Sequence, residues 1–124
     1  MNKTILIIED EPALRKILSD LLQKNNFSIL EAKDGKEGVT LALEKHPDLI
    51  LLDLLMPVMN GMEALKKIRQ NTWGEKVPVI ILTNLNATDE KLVQDMVTER
   101  PLYYLIKSDW NINDVIKKIK EVLV

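Results

Sequence analysis

Leu49-Ile50-Leu51-Leu52-Asp53 is an unbroken aliphatic run that ends in a carboxylate. A half-buried strand alternates apolar and polar side chains. A short segment that is apolar at every position has both faces covered, as a strand does in a parallel sheet between helices. Residues 4–8, 27–30 and 79–82 are similar β-branched or Leu-rich runs, and 103–106 is a shorter fifth.

Helical spacing fills the intervals. After Pro12, suited to a first helical turn, Leu14, Ile17, Leu18, Leu21 and Leu22 fall at i, i+3, i+4, i+7 and i+8, which makes one apolar stripe. Ile112, Val115, Ile116, Ile119, Val122 and Leu123 repeat it, with weaker versions around Val39, Ala64 and Leu92. Strand and helix thus alternate five times. Right-handed crossovers then give a doubly wound (βα)5 α/β sandwich with a parallel five-stranded sheet. At about 25 residues per β/α unit, residues 1–124 hold one domain. Segments 71–76 and 84–88 are expected to be connecting loops.

Composition bounds the function. The chain has 17 Lys+Arg against 19 Asp+Glu, a formal charge of -2, one His and no Cys. Disulfides and thiolate metal sites are excluded, so any metal must sit on oxygen ligands. At 46% apolar residues, roughly 65% of the unfolded surface can be buried without a structural metal. With near-neutral charge and no helix-turn-helix segment left over, direct nucleic-acid binding is not expected. No apolar run approaches the ~18 residues of a membrane span, and residues 1–4 lack the regions of a signal peptide. The expectation is a cytoplasmic protein that does not engage membrane.

Ligands of open parallel sheets bind outside the carboxyl ends of the strands. There the sequence places Glu9, Asp10 and Glu11 after the first strand, Asp53 after the third, Thr83 after the fourth and Lys107 after the fifth. Two carboxylates ~4 Å apart repel by about 4 kcal/mol at an effective dielectric near 20, which raises a pKa or recruits a cation. Mg²⁺ suits carboxylates, a backbone carbonyl and phosphate oxygen. A hydroxyl and an ammonium beside it are the groups that neutralise a phosphoryl in transfer. These residue types therefore point to a Mg²⁺-assisted phosphoryl site.

The ordered set Glu9-Asp10, Asp53-Leu54-Leu55-Met56-Pro57 with Gly61, Thr83, and Tyr104 three residues before Lys107 resembles the receiver domain of two-component response regulators (CheY-like) along the whole chain. The resemblance implies a flavodoxin-like sheet of order 2-1-3-4-5. It implies that Asp53 accepts a phosphoryl group from a phosphohistidine of a sensor histidine kinase or phosphotransfer protein. Glu9, Asp10, Asp53 and the backbone carbonyl of Leu55 would hold Mg²⁺, and Lys107 would pair with phosphoryl oxygens. Thr83 would move toward them as the switch, and Tyr104 would rotate inward. That would shift the surface of the fourth helix, fifth strand and fifth helix toward a downstream effector or output domain. Such a domain is a signalling module that catalyses its own phosphorylation and dephosphorylation, not a metabolic enzyme.

Several residues depart from the family's pattern. Asn84 stands where a small residue is common, and its bulk narrows access to Asp53. Arg100-Pro101 replaces a Gly-Ala pair, so the fourth helix must end without a glycine cap. Ser108 replaces a proline. Gly38, where Ala is common, costs the second helix roughly 1 kcal/mol.

Other functions fit less well. A receiver-fold scaffold that works without phosphorylation would not need every catalytic group. A Mg²⁺-dependent phosphatase needs an acid/base carboxylate where Leu55 stands, and a flavodoxin's FMN phosphate would be repelled by Glu9-Asp10-Glu11. Of the remaining residues, Glu11 reads as an N-terminal helix residue and His46 as an exposed helix end. Lys66, Lys67, Arg69, Lys117, Lys118 and Lys120 read as solvated helix faces. Trp73 is expected to pack, and Trp110 lies near the output face.

Overall fold

The computed structural model describes residues 2–56, 58–85 and 90–123. Pro57 of the motif and residues 86–88 of the expected loop lie outside them. The elements are β1 (Thr4–Ile8), α1 (Pro12–Lys24), β2 (Ser28–Ala32), α2 (Gly35–Lys45), β3 (Leu49–Leu52), α3 (Gly61–Gln70), a 3-10 turn (Trp73–Glu75), β4 (Val79–Thr83), α4 (Glu90–Glu99), β5 (Tyr103–Ile106) and α5 (Ile112–Leu123). All pairings are parallel, and the order is β2-β1-β3-β4-β5. Both match the expectation.

The unbroken apolar runs follow from layering. Leu6, Ile8, Ile50, Leu52, Val79 and Ile81 face the layer built with α2 and α3. Their alternates Ile5, Ile7, Leu49, Leu51, Ile80 and Leu82 face α1 and α5. Neither set reaches water, so a polar residue at any of these positions would lose its hydration.

β2 runs to Ala32 and not to 30, paired with β1 as far as Ile8, and three further differences from the sequence expectation each have a local reason. β2 begins at Ser28, not 27, because the end of α1 captures Phe27. Asn26 turns left-handed at φ 69°, and the N–H groups of Asn26 and Phe27 close back on the carbonyls of Gln23 and Leu22. This is a Schellman motif with asparagine in place of glycine. β4 includes Thr83, whose carbonyl accepts the Lys107 N–H at 2.8 Å. Segment 71–76 is not all irregular: its 3-10 turn lets Trp73 pack on the α2–α3 layer and stack on His46 at 4.5 Å.

α4 ends as Pro101 requires. Arg100 leaves the helix at φ 53° while its N–H still reaches the Met96 carbonyl. The open carbonyls find a partner that the expectation of solvated faces missed. From α3, Arg69 Nε donates to Glu99 O at 2.9 Å and Nη2 to Arg100 O at 3.3 Å. Its Nη1 donates to Gly74 O at 2.9 Å and Val77 O at 2.6 Å. Lys66 pairs with Asp95 of α4 at 3.1 Å. Lys118 also departs from the expectation, lying over the rings of Tyr103 and Trp110.

Gly38 has a packing reason. A Cβ there would stand 2.8 Å from Ile8 Cγ1, so the missing methyl lets α2 approach β1.

Candidate functional site

Three strand ends set the site. One residue past β1, the Glu9 N–H bonds Ala32 O at 3.0 Å, and one residue past β3, the Asp53 N–H bonds Ile8 O at 3.0 Å. The sheet ladder thus carries both acids beyond its edge in fixed register. Gly61 tightens the turn after Asp53. Its N–H donates to Leu54 O at 3.0 Å, and a Cβ would run into the Asp53 carbonyl and stand 2.7 Å from Leu54 Cα. Only glycine allows α3 to begin this close.

The side chains converge. Lys107 Nζ lies 2.8 Å from Glu9 Oε1 and 3.3 Å from Asp53 Oδ2. The other Glu9 oxygen accepts the Glu11 N–H at 3.1 Å, and Asp53 Oδ1 accepts the Leu55 N–H at 3.2 Å. Glu9 and Asp53 are only 3% and 4% exposed. Asp10 completes the group on its solvent side: one carboxylate oxygen from each acid lies within 4.8 Å of the others. An all-oxygen donor set of this size suits a hard divalent cation.

Electrostatics follow from burial. Desolvation pushes the Glu9 carboxyl up from 4.5 to about 7, against the pull of Lys107 and the Glu11 N–H, while the Asp53 charge raises it further. Burial alone would lower the Lys107 ammonium, but Glu9 and Asp53 outweigh it and raise the group above its usual range. Lys107 therefore stays charged at neutral pH, and Glu9 is poised between its two forms.

Thr83 at the end of β4 and Tyr104 on β5 are joined through one residue, Leu85. The fully buried Thr83 accepts the Leu85 N–H on Oγ1 at 3.3 Å. The Tyr104 hydroxyl donates to the Leu85 carbonyl. Burial, and secondarily the Asp53 charge, push the Tyr104 phenol upward, so it remains a donor. Tyr104 is packed partly against the α2–α3 layer. Leu55 meets Asp53 through its N–H, and the residue is 51% exposed. Asn84 is exposed.

Glu11 caps the start of α1 without a side-chain bond. The expectation passed over Arg15, whose Nη1 donates to the Glu9 carbonyl at 2.8 Å. Its sequence signal was faint: a long cation one turn into the helix that follows an acidic turn.

The chain matches the family model of the response regulator receiver domain over residues 5–120. It is 34% identical over 88 residues to Protein PilH of Pseudomonas aeruginosa, which is 71% of this chain and 73% of that protein. It is 35% identical over 88 residues to the DNA-binding dual master transcriptional regulator RpaA of Synechocystis, 71% of this chain but only 36% of that protein. Among solved structures it superposes on chemotaxis protein CheY4 of Vibrio cholerae with TM-score 0.86 at 26% identity, covering 98% of this chain and 99% of that one. Response regulator TrrA of Thermotoga maritima, solved in complex with Mg²⁺-BeF, gives TM-score 0.80 at 27% identity over 97% and 98%. Among the described residues no helix is long and apolar enough to cross a membrane. The chain belongs to the family of response regulator receiver domains, the CheY-like signalling domains of two-component systems.

Proposed function

We propose that residues 1–124 form one receiver domain that works as a phospho-accepting switch in the cytoplasm, with Asp53 as the acceptor. A carboxylate oxygen of Asp53 attacks the phosphorus of a phosphohistidine on a sensor histidine kinase or phosphotransfer protein. The P–N bond breaks, its electron pair returns to the imidazole, which takes up a proton, and an aspartyl phosphate forms. The observation that carries this is the Lys107 ammonium held between two buried carboxylates, 2.8 Å and 3.3 Å away, at the carboxyl edge of a parallel sheet.

The residues fit Mg²⁺, held by Glu9, Asp10 and Asp53 with the Leu55 carbonyl; when bound, the ion neutralises phosphoryl oxygens. Lys107 stays protonated and offers its hydrogens to those oxygens. Thr83 turns its hydroxyl toward them and gives up the Leu85 N–H, and Tyr104 follows through the Leu85 carbonyl. The shift moves the α4–β5–α5 face toward an effector or output domain. The bound phosphoryl biases only the state with which it makes more contacts. Loss of the phosphoryl to water, assisted by the same groups, resets the switch.

Incubation with Mg²⁺ and acetyl phosphate or phosphoramidate, followed by intact-mass measurement, tests the proposal. A single phosphoryl adduct is expected, absent in Asp53→Asn and absent when Mg²⁺ is chelated. An adduct that persists in Asp53→Asn means another residue is the acceptor. No adduct on the wild-type protein rejects the switch in favour of a scaffold.

A further inference from the structure

The β1–α1 turn is held by Arg15, a side chain with no part in phosphoryl transfer as proposed above. Arg15 is the fourth residue of α1, and its guanidinium folds back over the turn. Nη1 donates to the Glu9 carbonyl at 2.8 Å, and Nε stands 3.6 Å from Glu31 Oε1 on β2, with the Arg15 side chain 21% exposed. The Glu9 N–H is spent on Ala32, but its carbonyl lies past the strand and takes Arg15 in place of a ladder donor.

The three acids are not held alike. Glu9 has its carboxylate gripped by Lys107 and the Glu11 N–H, and Asp53 by Lys107 and the Leu55 N–H. The Asp10 carboxylate has no hydrogen-bond or ion-pair partner among the described residues, yet one of its oxygens falls within 4.8 Å of the other two acids. With no such partner, the reach of this carboxylate toward the other acids depends on the placement of its backbone. The peptide that sets it is the one joining Glu9 to Asp10, whose carbonyl Arg15 holds.

We infer that Arg15 is a positioning residue for the cation site, locking the Glu9–Asp10 peptide so that the Asp10 carboxylate converges with those of Glu9 and Asp53. This rests on the Mg²⁺ site proposed above. Charge and geometry here have opposite signs. A guanidinium near a cation site repels the incoming ion, so by charge alone its removal strengthens Mg²⁺ binding. If Arg15 acts by fixing the peptide, its removal weakens binding, as the loss of a partner that orients a metal ligand does by 10- to 100-fold.

The test is Mg²⁺ titration of the whole chain by calorimetry and by amide chemical shifts, without any phosphodonor. Arg15→Ala is expected to weaken Mg²⁺ binding about 10-fold. Arg15→Gln keeps an amide donor without the charge and is expected to recover part of that loss. It also serves if the alanine variant does not fold. In the phosphoramidate reaction, the Mg²⁺ concentration for half-maximal rate rises while the rate at saturating Mg²⁺ stays near wild type. Binding by either variant that equals or exceeds wild type overturns the role of Arg15 and leaves the phospho-accepting switch standing. A wild-type chain that neither binds Mg²⁺ nor takes up phosphoryl overturns the underlying proposal instead.

Discussion

Replacing Lys107 with methionine removes the ammonium that faces both buried acids and leaves a chain of similar length in its place. At an effective dielectric near 20, its distances of 2.8 Å and 3.3 Å correspond to attractions of about 6 and 5 kcal/mol. Most of that is offset by the desolvation of all three groups, and breaking such a buried arrangement from one side costs about 3–5 kcal/mol. Glu9 has an outlet, because its carboxyl already sits at about 7 against an ordinary 4.5. The folded wild type therefore holds this proton more tightly than the unfolded chain. The stability tied to Glu9 is complete below pH 4.5, declines by about 3 kcal/mol as pH rises to about 7, and is then level. Lys107 is one of the groups that hold the Glu9 value down. Without it the folded value climbs, and the decline continues past pH 7 at up to about 1.4 kcal/mol per pH unit. The deficit of Lys107→Met is thus expected to grow from about 1–2 kcal/mol at pH 6 to about 3–5 kcal/mol above pH 8. Urea unfolding in a chelator-containing buffer, followed by tryptophan fluorescence, measures it. A deficit that is flat with pH, or larger at pH 6, refutes the reasoning. So does pH-dependent growth that survives when Glu9→Gln is added to both proteins.

Three further substitutions test the close contacts. Gly61→Ala drives a methyl into the Asp53 carbonyl. It is expected to cost about 3 kcal/mol in thermal melts and to slow adduct formation with phosphoramidate. Gly38→Ala gains up to about 1 kcal/mol of helix propensity, yet is expected to destabilise because Ile8 Cγ1 stands 2.8 Å from the new Cβ. Adding Ile8→Val should restore part of the loss, with a coupling above about 0.5 kcal/mol in the double-mutant cycle. Arg69→Ala strands four carbonyls and is expected to cost about 2–4 kcal/mol and to speed amide exchange from Glu99 to Leu102. Arg69→Lys should recover little, because an ammonium cannot span the fork.

What could be read in advance tracks what depends on local pattern. The runs at 5–8, 49–52 and 79–82 are legible because each residue is committed to one apolar layer or the other. Once the strands were placed, topology carried Glu9, Asp53 and Lys107 to one edge, and their distances bear this out. The start of β2 was misjudged because Asn26, a residue without glycine's freedom, closes α1 in the left-handed region. Lys66, Arg69 and Lys118 read as solvated charges, and Arg15 carries no reading at all, because a long flexible side chain chooses its partner only after the elements are packed. Each then took what lay within reach: an acid, a set of stranded carbonyls, two rings, and the carbonyl of a turn.

The proposed switch would rely on the same packing to carry a small chemical change at Asp53 to a distant face. None of the residues of α4 is buried. Polar ties run from it to α3, through Asp95 to Lys66 and through Glu99 to Arg69. Ahead of the helix, one residue holds two groups, since the Leu85 N–H serves Thr83 and its carbonyl serves Tyr104. If Thr83 turns to a phosphoryl at Asp53, the Leu85 N–H loses its acceptor, and the Leu85 backbone is left with one tie, its carbonyl's bond to the tyrosine. A hydrogen bond of this kind contributes about 1 kcal/mol net, a factor of about five in population at room temperature. That is small against the stability of the sheet. It is comparable to the ties that hold α4, and so the segment from Leu85 into α4 is where such a shift would be felt.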